Sequence, residues 1–245
     1  MKNFTTVFNE NISVKTYDTD FKGKIKIASL VQYFQEAASK HASINNFGYN
    51  NLLENNSIWV LSSINMRIYE YPTWEEELSI ATWSKGKKKI FAVRDFEFYK
   101  NEKIYAAGSS FWLIIDINTR KPKKIDDILL NHISLPDKNA LNEEYLQIDT
   151  PKKFSYTDKF KVKYSDLDIN KHVNNLKYIE WAIDALNYDE HQKNIIQMII
   201  NYNAECKFDD EIEIKKSYTD NNELIICGYK NEEFKEAFKV FLKLE

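Results

Sequence analysis

Apolar positions repeat along this chain with two different periods. At the three-and-four spacing of a helix stand Leu30, Val31, Phe34, Ala37, Ala38, Ala42 and Ile44, which predicts a helix over 29–46. Ser29 is its expected cap, with Gln32 three residues on, and Gly48 follows its end. A second helix is predicted from Asn174 or Asn175 to Asn187, with Tyr178, Trp181, Ala182, Ala185 and Leu186 facing inward. Elsewhere the period is two and the residues are β-branched or aromatic. That pattern predicts strands over 58–68, 77–83, 90–99 and 103–116, and then over 157–165, 195–207, 211–218, 223–229 and 233–244. With only 5 Gly and 4 Pro, long elements joined by modest loops are expected.

Both halves thus follow one α+β plan: a strand, a turn, a long helix, then antiparallel strands. Between them regularity lapses, so an N-terminal domain over 1–125, a linker over 126–152 and a C-terminal domain over 153–245 are expected. The stretch Val14-Lys15-Thr16-Tyr17-Asp18-Thr19-Asp20-Phe21 is similar to Val162-Lys163-Tyr164-Ser165-Asp166-Leu167-Asp168-Ile169. Each leads into a helix carrying Tyr, an apolar residue and Gln or Glu (Tyr33-Phe34-Gln35 and Tyr178-Ile179-Glu180). The halves read as a duplication. A sheet wrapped on one helix leaves an edge strand unpaired, and a tandem pseudo-dimer is the expected way to close it within one chain.

Composition narrows the classes. Hydrophobic residues make up 43% of 245, enough for a packed core, and no apolar run nears the roughly 20 residues of a membrane helix. The first ten residues lack a signal-peptide core, so a cytoplasmic protein without stable membrane association is expected. Cys206 and Cys227 fall in predicted strands without metal-ligand spacing, and both are expected to be reduced. With 34 Lys+Arg against 37 Asp+Glu, the net charge of −3 gives no reason to bind nucleic acid. Locally, however, Lys85, Lys87, Lys88 and Lys89, then Arg120, Lys121, Lys123 and Lys124, then Lys152, Lys153, Lys159, Lys161 and Lys163 form basic stretches. These are either solvated faces or docking points for an acidic partner.

Chemistry concentrates between Ser165 and Trp181, a predicted strand end, polar turn and helix start. Asp168, Asn170 and His172 alternate over five residues. A carboxylate, an amide and an imidazole would converge in an extended loop, with helix N–H groups near Val173 to Asn175 behind them. Asp and Asn also make turns and caps, and a lone His often only satisfies a carbonyl, so the residue types alone leave both readings open. The set is a poor zinc pattern. Neither a Gly-rich phosphate loop nor a Gly-x-Ser-x-Gly elbow occurs.

The run Asp168-Ile169-Asn170-Lys171-His172-Val173-Asn174-Asn175-Leu176-Lys177-Tyr178-Ile179-Glu180-Trp181 resembles the active-site segment of the acyl-acyl carrier protein thioesterases. So does Tyr202-Asn203-Ala204-Glu205-Cys206 downstream. Tyr17-Asp18-Thr19-Asp20 and Tyr71-Pro72-Thr73-Trp74-Glu75 agree in the first half, and the resemblance covers roughly residues 4 to 240. It implies a tandem hotdog fold, each half a long helix wrapped by an antiparallel sheet. It also implies hydrolysis of fatty acyl-acyl carrier protein to free fatty acid, with acyl carrier protein as partner and neither metal nor organic cofactor. The family's catalytic positions fall on Asp168, Asn170, His172 and Glu205, and Cys206 occupies a place once considered nucleophilic. In the first half Lys22 and Lys24 replace Asn170 and His172, which assigns that half to scaffold and acyl pocket.

The resemblance names these residues and not their order of action, so either Asp168 or Glu205 can activate the nucleophile; in the mechanism preferred here Asn170 and helix amides polarise the carbonyl, Asp168 attacks it or activates water, and His172 with Glu205 manages the proton. Strand alternation over 195–207 puts Cys206 on the apolar face with Met198 and Ile200, and Glu205 on the other, which favours a structural Cys206. An acyl-CoA thioesterase of the same fold and a non-catalytic acyl-thioester sensor are the alternatives. A hotdog dehydratase or isomerase fits the Asp-x-Asn-x-His pattern poorly. Association of two such chains as a homodimer is compatible with all of these.

Overall fold

The computed structural model describes residues 5–125, 134–141, 147–230 and 235–245. By their contacts the residues divide into two compact units, Met1–Ser62 with Ile68–Glu144, and Ser63–Arg67 with Tyr145–Glu245.

In the first unit, β1 (Val7–Ser13) is followed by α1 (Ile27–Ile44), a short α2 (Tyr49–Leu53) and β2 (Ser57–Ile68). Then come β3 (Glu77–Lys88), β4 (Phe91–Lys100) and β5 (Lys103–Asp116). Strands β1, β3, β4 and β5 lie in that order, all antiparallel. Alternation sends Ile80, Phe96 and Phe98 to one face, where the apolar stripe of α1 packs. Phe34 stacks on Phe96 and Phe98 with ring centres 4.5 and 5.3 Å apart. Residues 134–141, which the sequence assigns to the linker, pack on this unit too. Trp83 Nε1 donates to the Lys138 carbonyl, and Ala140 N to the Asp95 carboxylate.

The second unit contains β6 (Tyr156–Lys161), α3 (Asn175–Asp184), α4 (Tyr188–Gln192), β7 (Ile195–Tyr202), β8 (Glu211–Tyr218), β9 (Leu224–Lys230) and β10 (Lys235–Leu244). Ser63–Arg67 of β2 pairs antiparallel with β7, and the sheet continues β10, β9, β8, β6. Helix α3 lies on it through Tyr178 and Trp181, whose rings sit 5.2 and 6.4 Å from that of Phe238. Each half is a hotdog, a long helix wrapped by an antiparallel sheet, as expected.

Several local expectations are corrected. Helix α1 starts two residues early, with Lys26 at the N-cap and no side-chain cap, while Ser29 is buried inside it. Its C-terminal left-handed residue is Asn46 (φ 63°), and Gly48 instead caps α2. The second helix ends at Asp184. Asn187, taken as its last residue, is the N-cap of α4, accepting from Glu190 N while Glu190 accepts from Asn187 N. The strand predicted over 157–165 stops at Lys161, and the strand predicted over 195–207 stops at Tyr202. Cys206 therefore lies in a loop; Cys227 is in β9. Glu233, the predicted start of the last strand, and residues 126–133 and 142–146 of the linker lie outside the described residues.

Candidate active site

The strand–turn–helix segment is closed by Asp168. Its Oδ1 accepts from the N–H of Asn170 at 2.8 Å and of His172 at 3.2 Å, while its own N–H donates to the His172 carbonyl at 2.8 Å. Lys171 takes the left-handed conformation (φ 64°) that this tight turn needs. The loop is thus folded back on Asp168 rather than extended. The convergence predicted from an extended loop is achieved by a turn, because a carboxylate two and four residues upstream of two N–H groups gathers them locally.

Asn174 caps α3 by accepting from Leu176 N. The helix amides expected to face a substrate are partly spent: Val173 N donates to the Cys206 carbonyl and Asn174 N to the Asp166 carbonyl, both at 2.8 Å. At the loop tip the Asn170 side-chain amide is exposed and donates to Asp168 Oδ2 at 3.4 Å.

Glu205 is brought to this loop by a two-residue bridge. Besides Val173 and Cys206, His172 pairs antiparallel with Lys207. The result places His172 Nε2 3.7 Å from Glu205 Oε2, with side chains 20% and 39% exposed. This is ion-pair range, at a site open enough for a substrate to reach. Asp168, Asn170, His172 and Glu205 are therefore all gathered at one place in the second unit.

Cys206 is fully buried, and burial pushes its thiol up to about 11. A neutral, enclosed thiol is a poor nucleophile. The structural role favoured for Cys206 agrees with this, although its cause is the loop packing and not the strand alternation from which it was argued. The residue that sequence reasoning left in the core without a further role is Tyr178, whose hydroxyl accepts from Cys206 N at 3.0 Å. Its helical spacing marked it as buried, and nothing in the sequence marked its partner.

His41 differs. His41 is buried in the first unit, its Nε2–H donating to the Thr5 carbonyl at 2.7 Å and its Nδ1 accepting from Arg94 at 2.8 Å. Burial and the Arg94 charge push it down to about 4, so it stays neutral. It is a structural histidine. Among the described residues, no group of three or more His, Cys, Asp or Glu is placed to hold a metal.

The basic stretches differ as well. Lys123 pairs with Asp116 at 3.3 Å, Lys159 with Glu213 at 3.9 Å and Lys161 with Asp209 at 3.4 Å. Lys85, Lys87 and Lys88 line one cavity of about 400 Å³ in the first unit together with Asp95, with Val93, Phe111 and Leu141 as its apolar wall, and the Lys85 ammonium donates to Asn139 Oδ1.

A family model described as the acyl-ACP thioesterase N-terminal domain matches residues 5–133, and one described as the acyl-ACP thioesterase C-terminal domain matches residues 149–239. Oleoyl-acyl carrier protein thioesterase 2, chloroplastic, of Arabidopsis thaliana is 23% identical over 242 residues, covering 89% of this chain and 65% of the relative. Palmitoyl-acyl carrier protein thioesterase, chloroplastic, of the same plant is 27% identical over 228 residues, covering 84% and 54%. The chain therefore spans less than two thirds of the length of these curated relatives. Among solved structures, an acyl-ACP thioesterase from Bacteroides thetaiotaomicron superposes with a TM-score of 0.86 at 28% identity, covering 98% of both chains. The 12:0-ACP thioesterase from Umbellularia californica superposes with a TM-score of 0.85 at 20% identity, covering 98% and 97%, a likeness of fold.

Proposed function

The chain belongs to the acyl-ACP thioesterase family, and from that premise we propose that it hydrolyses the thioester of fatty acyl-acyl carrier protein, releasing free fatty acid and ending chain elongation. The observation that carries the reading is the His172–Glu205 pair at 3.7 Å beside the Asp168 turn, inside the segment that the C-terminal family model matches.

The reaction needs an oxygen nucleophile at the thioester carbon, a donor for the oxyanion and a proton for the leaving sulfur. Asn170 supplies the donor through its exposed amide. Asp168 keeps Oδ1 for the turn, so Oδ2 is the oxygen that attacks the carbonyl carbon or takes a proton from the water that does. When water attacks, the His172–Glu205 pair carries that proton to the sulfur as the C–S bond breaks, giving a carboxylic acid and the carrier thiol; when Oδ2 attacks, the pair protonates the leaving sulfur as an acyl anhydride forms on Asp168, then takes a proton from the water that hydrolyses it, which releases the carboxylic acid and restores the Asp168 carboxylate. The residues in this account supply each group the reaction needs.

The partner is acyl carrier protein, a small acidic protein, and the Lys85, Lys87 and Lys88 cavity is the docking point we favour, since three lysines are among the residues that line it. We propose a cytoplasmic setting for this chain; the plant relatives named above are chloroplastic. The test is release of free fatty acid from a ladder of acyl carrier protein thioesters beside the matching CoA thioesters. Preference for the carrier-bound series is expected. Hydrolysis of CoA thioesters alone would make it an acyl-CoA thioesterase, and binding without hydrolysis would make it a sensor.

A further inference from the structure

Glu205 sits on a loop, and what holds that loop is legible because the molecule contains it twice. In the second unit Val173 N donates to the Cys206 carbonyl, His172 bridges Lys207, Lys207 N donates to Asp210 Oδ2, and Asp209 is left-handed (φ 66°). In the first unit Ile25 N donates to the Pro72 carbonyl, Lys24 bridges Thr73, Thr73 N donates to Glu76 Oε2, and Glu75 is left-handed (φ 64°). These matched bonds equate Pro72 with Cys206 and Tyr71 with Glu205. The helix caps, Lys26 and Asn174, equate Leu30 with Tyr178.

Two differences then fall together. Pro72 has no N–H, and Leu30, its neighbour unit's counterpart of Tyr178, has no hydroxyl. Cys206 has an N–H in a fully buried place, and Tyr178, itself buried, presents the hydroxyl that accepts it at 3.0 Å. Without that acceptor the N–H would be buried unsatisfied, and the chain would shift to find a partner. Glu205, the preceding residue, would shift with it. On the side of the molecule that carries no carboxylate at this point, a proline that needs no partner does the same work.

We propose that Tyr178 is a positioning residue which, by accepting the Cys206 N–H, holds Glu205 within reach of His172. This rests on the reading of His172 and Glu205 as the proton-carrying pair. Tyr178 touches no substrate in this account. It acts on the reaction only through where Glu205 stands, and a displacement of about 1 Å at such a site costs up to about 10²-fold in rate.

The test is Tyr178→Phe, compared with Tyr202→Phe, which removes another phenol with a backbone partner, the Asn175 carbonyl at 3.1 Å. Tyr178→Phe is expected to lower kcat by about tenfold or more with KM within about twofold, and to displace the pH–rate profile. Tyr202→Phe is expected to lower thermal stability without either change. Adding Cys206→Pro to Tyr178→Phe imports the solution of the first unit and is expected to recover most of the lost kcat. Unchanged kcat in a folded Tyr178→Phe, or equal losses in the two phenylalanine variants, would overturn the proposal. If Tyr178→Phe does not fold, Tyr178→Phe combined with Cys206→Pro is expected to fold and to keep most of the native kcat, because no N–H is then left without an acceptor; failure of the pair to fold, or a tenfold loss of kcat in the folded pair, opposes the proposal. Should the native chain release no fatty acid from any thioester, the function reading fails by itself. The positioning claim is then judged on nuclear magnetic resonance titration of the His172 ring, which must move in Tyr178→Phe and not in Tyr202→Phe.

Discussion

Residues 20–25 and 168–173 are one turn built twice. Asp20 Oδ1 accepts from Lys22 N at 2.8 Å and Lys24 N at 3.1 Å, as Asp168 Oδ1 accepts from Asn170 N and His172 N at 2.8 and 3.2 Å. Each turn has a left-handed residue three places on, Gly23 (φ 73°) or Lys171 (φ 64°). Each carries an apolar tip in solvent, Phe21 at 79% and Ile169 at 85% exposure, and ends on a buried residue, Ile25 or Val173. The backbone bonds agree, and the side chains available for chemistry do not: Lys22, Lys24 and Tyr71 stand where the second unit has Asn170, His172 and Glu205. The comparison teaches that this aspartate is needed by the turn whether or not a reaction follows. Its presence marks the scaffold; the imidazole, the amide and Glu205 mark the proposed site.

Glu205→Gln breaks the comparison most severely, because it takes from the second loop a charge that the first never had. Turnover is expected to fall by about 10²–10⁴-fold with the fold retained, measured as fatty acid released by a purified variant of native circular dichroism. Asp168→Asn sharpens it further. An amide oxygen still accepts the Asn170 and His172 N–H groups, so the turn survives while the nucleophilic or basic oxygen is lost. A loss near that of Glu205→Gln assigns Asp168 to the reaction, whereas retention of most turnover would leave it the same turn-making role as Asp20.

Cys206→Ser is expected to keep most of its turnover, within about threefold, since the group the loop uses there is the backbone N–H. With the thiol pushed up to about 11, its reactive thiolate is scarce at neutral pH and grows about tenfold per pH unit up to that value. Iodoacetamide should therefore act slowly at pH 7 and faster toward pH 10. Rapid inactivation at pH 7 with protection by substrate would restore Cys206 as a nucleophile. The smallest effect belongs to Lys171→Gly, which copies Gly23. Relief of a left-handed lysine, less the entropy glycine loses, is expected to raise stability by about 0.5–1 kcal/mol in urea unfolding, with turnover unchanged.

Much of this was legible in the chain, and the misses have physical causes. Strand β5 runs over the residues predicted for it, because a run with Ile104, Tyr105, Phe111, Trp112, Ile114 and Ile115 between polar ends marks a largely buried strand. The break of β7 at Tyr202 does not show in that period: Asn203 N and Ala204 N both turn to the Ala237 carbonyl, a partner distant in sequence. The Asn187–Glu190 box that starts α4 was present as a local signal and was absorbed into the preceding helix. The four site residues could be named from resemblance, but which oxygen of Asp168 is spent, and what anchors Glu205, depend on contacts that only the folded chain makes. The two turns also correct the alignment of the helices, since their caps set Leu30, and not Tyr33, opposite Tyr178.

The central claim is that one scaffold occurs twice and chemistry once. The direct measurement is hydrolysis of a short thioester without carrier by His172→Ala and Lys24→Ala, variants at matched positions of the two turns. The account predicts a loss of about 10²–10⁴-fold for His172→Ala and native turnover for Lys24→Ala. Comparable losses in the two folded variants would contradict it, because the first turn would then hold a working site as well.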